Sequence, residues 1–209
     1  MTRAGERRKQ NLRCALVAAL AIALAGCGAT RPSKFYSLEL PANSAAAGTT
    51  LDVNLLVGRI TAPHLLRDTR IVYRAAGTEM GTYEFHRWVE PPTDMIEALL
   101  LRALRASGKY RSVQPLRSSA RGDFILRGRL HEFEEVSGSS LAARVVLEVD
   151  LFEASSGTTV WSHLYRRDEP VEGKDVPAVV DALNRNVQRS IGEITAALDQ
   201  HFTQNPPKR

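Results

Sequence analysis

The chain has 209 residues and a formal net charge of +5, but this charge is concentrated at its start. The first 26 residues hold five of the 28 basic residues and one of the 23 acidic residues, so the remaining 183 residues carry a net charge of +1. A nearly neutral remainder excludes the basic footprint of a nucleic-acid-binding protein. Its length suits one domain with a sizeable core.

The N-terminal residues predict an export signal. A basic segment ending at Arg13 is followed by eleven uncharged residues, Cys14 to Leu24. This apolar run is shorter than the about 20 residues that span a bilayer, and the basic segment favours the cytoplasmic side. It ends at Leu24-Ala25-Gly26-Cys27, which resembles the bacterial lipobox. The alternative is an ordinary signal peptide with a chance cysteine.

The lipobox predicts a lipid anchor. The resemblance implies that residues 1–26 are a signal peptide cut between Gly26 and Cys27, and that Cys27 carries a covalent diacylglycerol and an N-acyl chain. Two or more acyl chains would anchor the protein stably. Residues 27–34 form a lipidated tether, in which Gly28 to Lys34 reach at most about 25 Å. No free thiol remains for a disulfide once Cys14 leaves with the signal.

The first half of the remaining chain predicts strands. Alternating apolar and polar residues, with aromatic residues, favour strands at residues 35–40, 51–57, 70–74 and 80–85. The segment from Pro41 to Thr50 predicts a loop, and Pro63 to Thr69 predicts a connection. We expect one domain over residues 35–202 and a disordered tail over 203–209.

A helix is predicted after the segment from Arg87 to Pro92, whose sequence is Arg-Trp-Val-Glu-Pro-Pro. Two prolines cannot continue a strand ladder but can lead into a helix. Thr93 is the predicted N-cap, and Gly108 is the predicted stop. One helical stripe contains Ile96, Leu99, Leu100, Ala103 and Leu104.

The same segment has two interpretations. In the structural one, which we favour, Trp88 packs in the core while the prolines turn the chain. In the functional one, the segment contacts a partner, because Trp and Arg are enriched at interface hot spots. The candidate partner-binding residues are therefore Arg87, Trp88, Pro91 and Pro92.

The second half predicts an antiparallel meander and a long helix. Strand patterns at 124–130, 144–152 and 159–167 are separated by Ser/Gly turns. A helix from Pro177 to Phe202 carries an apolar stripe that we expect to pack on its own sheet. The predicted fold is α+β: a two-layer domain with a mostly antiparallel sheet and two main helices on one face. On the other sheet face, Arg144, Glu148 and Asp150 favour solvent, while Val146 and Phe152 leave room for a contact.

Catalytic signatures are weak. The sequence has no Gly-rich phosphate loop, no metal-binding histidine pair on a helix and no Gly-x-Ser-x-Gly turn. We interpret His131 and His163 as partly exposed sheet residues, and Glu132, Glu134 and Glu135 as a solvated edge or strand end rather than a metal site. The chain is predicted to be non-catalytic, with no metal and no cofactor beyond the acyl chains.

The order of motifs resembles a known family. After the lipobox come Phe35-Tyr36-x-Leu38, then Val57-x-x-Ile60-x-x-Pro63-x-x-Leu66, then Ile71-Val72-Tyr73-Arg74, and finally the segment from Arg87 to Pro92 before a Leu-rich helix. This order is similar to that of the ABC-type transport auxiliary lipoprotein family, which includes PqiC-like lipoproteins. The likeness extends from Cys27 to about Leu198, and its sharpest element is the Trp-x-Glu-Pro-Pro step.

The resemblance implies a non-enzymatic accessory subunit. Its partners would be an MCE-domain protein and ABC transporter subunits that move lipids or other hydrophobic molecules across the periplasm. PqiC-like members form homo-oligomeric rings that dock the MCE component at the outer membrane. Gly28 follows the cysteine where many inner-membrane lipoproteins have Asp, so we expect the periplasmic leaflet of the outer membrane. The alternatives are a structural envelope lipoprotein that binds peptidoglycan or an envelope assembly, and a periplasmic hydrolase.

Overall fold

The computed structural model describes residues 31–41, 50–75 and 77–206. The predicted signal peptide, Gly26, Cys27, most of the predicted loop before Thr50 and the last three residues lie outside these ranges. Eight strands occur in the described part: β1 (Lys34–Tyr36), β2 (Leu51–Thr61), β3 (Arg70–Arg74), β4 (Met80–Trp88), β5 (Tyr110–Pro115), β6 (Phe124–Ser137), β7 (Leu141–Glu153) and β8 (Thr159–Pro170). The helices are α1 (Pro92–Ala106), α2 (Val176–Gln204) and a 3-10 helix (His64–Arg67).

The long strand β6 organises the sheet. One of its edges pairs along the whole strand with β7, which in turn pairs with β8. Its other edge is shared: β2 pairs in parallel with residues 124–129, and β3 pairs in parallel with Glu135 and Val136. The sheet therefore forks, with β2 and β5 in one branch and β3, β4 and β1 in the other.

Antiparallel pairing accounts for most of the paired length, as predicted, because β6, β7 and β8 form a long meander. The predicted Ser/Gly turns join these strands, which extend several residues beyond the predicted limits. Short parallel pairs join β1 to β4 and β2 to both β5 and β6. The fold is thus the predicted α+β class.

Both helices cover one face of the sheet and share one apolar core with it. The inner face of β7 carries Val145, Leu147, Val149 and Leu151, all fully buried. The predicted stripe of α2 is buried against β7 and β8, as expected for a helix packed on its own sheet. Residues from Ser33 onward form one compact unit. Among the described residues, no helix has the length and apolar character needed to cross a membrane.

Several local predictions were wrong. The first strand ends at Tyr36 instead of Leu40, because Leu38 turns into the core and the backbone of Glu39 binds α2. After Gly108 the chain forms β5, a strand that was not predicted from the sequence, whose Tyr110 and Val113 are buried. The predicted connection after Pro63 contains the 3-10 helix.

The helix ends also differ from prediction. Thr93 is not the N-cap of α1: Pro91 occupies that position and Pro92 begins the helix, while Thr93 is buried inside the first turn. At the other end of the chain, α2 continues through Thr203, which was predicted to be disordered, to Gln204. The Thr203 hydroxyl donates to the carbonyl of Asp199 at 2.8 Å, and this bond supports the last turn.

Candidate partner-binding surface

The segment from Arg87 to Pro92 is mainly a packing element. The side chain of Trp88 is 1% exposed and its ring lies 5.5 Å from the ring of Phe133. Its backbone N–H donates to the carbonyl of Thr69 at 2.6 Å. Pro92 is also buried, at the first turn of α1. These contacts agree with the structural interpretation of the segment. The side chains of Trp88 and Pro92 are buried and not available to a partner, whereas Arg87 and Pro91 are half-buried.

What this region does expose is an edge of the sheet. Phe35 pairs with Arg87 in the parallel ladder of β1 and β4, and the N–H of Val89 donates to the carbonyl of Tyr36 at 2.9 Å. Because side chains alternate along a strand and Trp88 points into the core, Phe35 and Arg87 point to the opposite face. We call Phe35, Arg87 and Val89 the β1 edge patch.

The β1 edge patch was missed at the level of sequence. Phe35 is 62% exposed and Val89 is 52% exposed. An aromatic residue in a strand pattern predicts burial, and this expectation fails for Phe35 because β1 is only three residues long and has no neighbour beyond it in the described sheet. The signal that points to the patch is the position of Phe35 at the very start of the predicted domain.

The second exposed region is the strand face, defined as the face of β6, β7 and β8 that is turned away from the helices. Arg144, on the middle strand β7, forms a bidentate ion pair with Asp168, with both N–O distances at 2.7 Å. Arg144 also reaches Glu132 at 3.5 Å, and Arg166 reaches Glu132 at 3.1 Å. The hydrogen bonds from Arg144 hold the pKa of Asp168 below its usual range.

The strand face also carries apolar side chains. Val146 is buried beneath the charged network, and Phe152 is half-buried with the guanidinium of Arg127 5.2 Å from its ring centroid. On β8, Leu164 is 57% exposed and Val160 is 40% exposed. Charged residues and accessible apolar residues therefore coexist on this face. Of the two apolar residues of β7 that were predicted to leave room for a contact, Phe152 is partly accessible, whereas Val146 is buried and the prediction was wrong for it.

Two of the carboxylates, Glu134 and Glu135, lie at the end of strand β6, which is one of the two predicted alternatives, but they are buried and do not form a solvated edge. Glu134 is 1% exposed and accepts a hydrogen bond from Arg74 at 2.6 Å. Glu135 is 6% exposed and accepts a hydrogen bond from the hydroxyl of Tyr83. Burial, together with Glu135, raises the pKa of Tyr83. Both glutamates are buried because the fork places β3 and β4 beside this end of β6.

Two histidines of the meander strands, His131 and His163, have carboxylate partners. His131 lies 2.7 Å from Glu148, and His163 lies 2.9 Å from Glu193 of α2. In the described part of the chain, no serine or cysteine hydrogen-bonds either pair, and no group of three or more potential ligands could hold a metal ion. An open depression at the fork is lined by His64, Arg67, Asp68 and Thr69. The described residues therefore present two surfaces that could bind a partner, the β1 edge patch and the strand face.

Fold and surface together define an α+β domain with helices on one sheet face and a broad, partly apolar strand face. The model of the ABC-type transport auxiliary lipoprotein component family matches residues 36–195. The chain belongs to this family. Among curated proteins, none matches the chain.

Solved structures share the fold. A Xanthomonas campestris protein assigned to the family DUF330 has a TM-score of 0.76 and 24% sequence identity, covering 83% of this chain and 98% of its own. An uncharacterized protein has a TM-score of 0.65 and 14% identity, covering 80% and 99%. A hypothetical protein of Chlamydia trachomatis has a TM-score of 0.50 and 9% identity, covering 72% and 97%.

Proposed function

We propose that this protein is a non-enzymatic, lipid-anchored subunit of an ABC transport system that works with an MCE-domain protein. The family match over residues 36–195 carries the proposal. In this role the domain docks or caps the MCE component, as one copy or as a ring, while lipids or other hydrophobic molecules cross the periplasm. The acyl chains on Cys27 hold it on the periplasmic leaflet of the outer membrane.

The anchor is tested with a pair of cysteine variants. Cys27→Ser removes the sulfur that accepts the diacylglycerol, whereas Cys14→Ser changes a cysteine of the signal that the mature protein does not keep. We expect the Cys27→Ser protein to keep its signal peptide and lose the acyl mass in intact-protein mass spectrometry. The Cys14→Ser protein should mature at Cys27 and fractionate with the outer membrane, and equal behaviour of the two variants contradicts the anchor.

The transport role is tested by capture from detergent-solubilised membranes, followed by mass spectrometry of proteins and lipids. Recovery of an MCE-domain protein and ABC subunits in fixed proportion supports the proposal. A peptidoglycan pull-down that succeeds without these partners indicates a structural envelope lipoprotein instead. The cargo path is expected to run through the partner or a ring lumen, so stoichiometric lipid bound to the isolated monomer contradicts that part.

A further inference from the structure

The predicted anchor meets the folded domain at β1. Seven residues, Gly28 to Lys34, separate Cys27 from Phe35, and they reach at most about 25 Å when fully extended. The lipid surface that holds Cys27 is therefore within about that distance of Phe35. In the described part of the chain, β1 is the first secondary-structure element after the predicted anchor.

The point where the chain enters the domain is fixed on both sides. Lys34 to Tyr36 pair with β4 through three residues. Directly after them, Leu38 is buried in the core, and the backbone of Glu39 is held by two side chains of α2. The N–H of Glu39 donates to Asn184 at 2.8 Å, and its carbonyl accepts from Gln188 at 2.9 Å. The tether thus leaves the domain from a rigid position.

Exposed apolar residues lie at that position. Phe35 and Val89 of the β1 edge patch are among the few large hydrophobic side chains that the described residues leave exposed. Two exposed apolar residues on one face of a sheet edge form a small apolar surface that a lipid interface or a partner can cover. Aromatic residues are also favoured at the boundary between lipid chains and water.

The charges beside these residues suit a phospholipid surface. Lys34 is exposed directly before Phe35, whereas the exposed Glu90 follows Val89. Arg87, the ladder partner of Phe35, adds a second cation to the same edge, so two cations face the one carboxylate of Glu90. Basic residues near a bilayer are attracted to anionic headgroups, and adjacent apolar residues enter the interface.

We propose that the β1 edge patch, with Lys34, rests in the headgroup region of the leaflet that holds the anchor. This inference rests on the lipid anchor of the proposed function. Because β8 lies five strands from β1 in the sheet order, its position is about 24 Å away at about 4.8 Å per strand. The contact orients the domain so that β8, at the opposite edge of the sheet, lies away from the lipid, where a partner can reach it.

The test places a tryptophan at each edge of the sheet in the full-length, lipidated protein. Phe35→Trp reports on the β1 edge patch, and Leu164→Trp, which replaces an exposed residue of β8, is the matched control. Each is reconstituted in vesicles of phosphatidylethanolamine and phosphatidylglycerol with or without brominated acyl chains, which quench nearby tryptophan. The unsubstituted protein, with Trp88 and Trp161, supplies the background.

The expected result is a several-fold greater loss of fluorescence for Phe35→Trp than for Leu164→Trp. Flotation of the vesicles shows whether the anchor holds the protein on the membrane, and quenching shows whether the β1 edge patch contacts the lipid. Protein that floats while Trp at position 35 is quenched no more than Trp at position 164 overturns the contact and leaves the anchor intact. Protein that does not float overturns both. A concentration-dependent blue shift at position 35 in detergent, without quenching in vesicles, assigns the patch to self-association and overturns the lipid contact.

Discussion

Asn186 is a fully buried polar side chain on the inner face of α2. Its amide nitrogen donates to the carbonyl of Ala143 on β7 at 2.9 Å and to the carbonyl of Arg167 on β8 at 3.0 Å. Its oxygen accepts from the hydroxyl of Tyr165 at 2.6 Å. One side chain therefore satisfies groups on two strands and fixes the position of α2 over them, because buried polar groups are costly when unpaired.

Replacing Asn186 with Ala should strongly destabilise the domain. The change removes the side-chain donor to two carbonyls and the shorter of the two acceptors of the Tyr165 hydroxyl, which keeps the backbone carbonyl of residue 186 at 3.3 Å. We expect a loss of about 3 kcal/mol in the free energy of unfolding. Urea denaturation measures this loss. Asn184→Ala, on the partly exposed side of the same helix, should cost about 1 kcal/mol or less. Equal effects of the two variants contradict the importance of the buried network.

The ion pair of Arg144 and Asp168 predicts a pH dependence. The pKa of Asp168 is lowered in the folded protein, chiefly by hydrogen bonds from Arg144. A carboxyl group with a lowered folded pKa stabilises the protein above its unfolded pKa of about 3.9, and this contribution is lost as the pH falls through the folded value. Since the Asp168 side chain is 45% exposed, the contribution is about 1 kcal/mol or less.

Asp168→Asn should therefore be less stable than the unsubstituted protein at neutral pH, and the difference should shrink as the pH falls below about 4. Thermal unfolding measured across this pH range tests the expectation. The control is Asp181→Asn, which removes an exposed carboxylate of α2 that forms no ion pair with the described residues. If the difference in stability between Asp168→Asn and the unsubstituted protein is the same at every pH, the negative charge of Asp168 is not what stabilises the fold.

At the scale of elements, α1 ends where its sequence predicts. Ala106 is its last residue and Ser107 is its C-cap. Gly108 follows with φ of 64°, a left-handed conformation that side chains other than glycine adopt at a cost. The chain then passes directly into β5, so this turn positions the strand that pairs with β2.

Gly108→Ala should destabilise the domain by about 1–2 kcal/mol, because a Cβ strains the left-handed backbone. Gly192→Ala supplies the opposite case. Gly192 is exposed in the middle of α2, and a methyl group added there would meet open space, so this change should stabilise the domain by about 0.5–1 kcal/mol. Chemical denaturation of both variants tests the pair, and a loss of stability at both positions argues against the assigned helix interior at residue 192.

At the scale of the molecule, the forked sheet is held together by one core. Apolar residues of both branches, the meander and both helices belong to the same buried cluster. The two tryptophans lie far apart in this arrangement: Trp88 ends β4 in one branch, and Trp161 lies on β8 at the other edge of the sheet. A shared core predicts that the whole domain unfolds in one step.

Single-tryptophan variants test this cooperativity. Trp161→Phe leaves Trp88 as the fluorescent probe, and Trp88→Phe leaves Trp161. Within each variant, we expect the fluorescence transition to coincide with the loss of far-ultraviolet circular dichroism, although Trp88→Phe lowers the midpoint because it removes buried volume. A fluorescence midpoint that departs from the circular dichroism midpoint in either variant contradicts a single cooperative unit.

Local patterns were sufficient for much of this fold. The alternation on β7, the stripe of α2, the glycine after α1 and the Ser/Gly turns were predicted correctly, because each depends on residues that are near neighbours in the chain. The order of short motifs likewise indicated the family that the match over residues 36–195 shows. The lipidation of Cys27 and the partners stay predictions.

Tertiary structure decided what depends on distant pairing. The fork at β6, the strand β5 and the burial of Glu134 and Glu135 all arise from parallel contacts between segments far apart in sequence. Local periodicity carries no information about which strand becomes a neighbour. For the same reason, only the tertiary structure decides between the two interpretations of Trp88, whose side chain lies inside the core. It also shows that Phe35 lies exposed at an edge of the sheet.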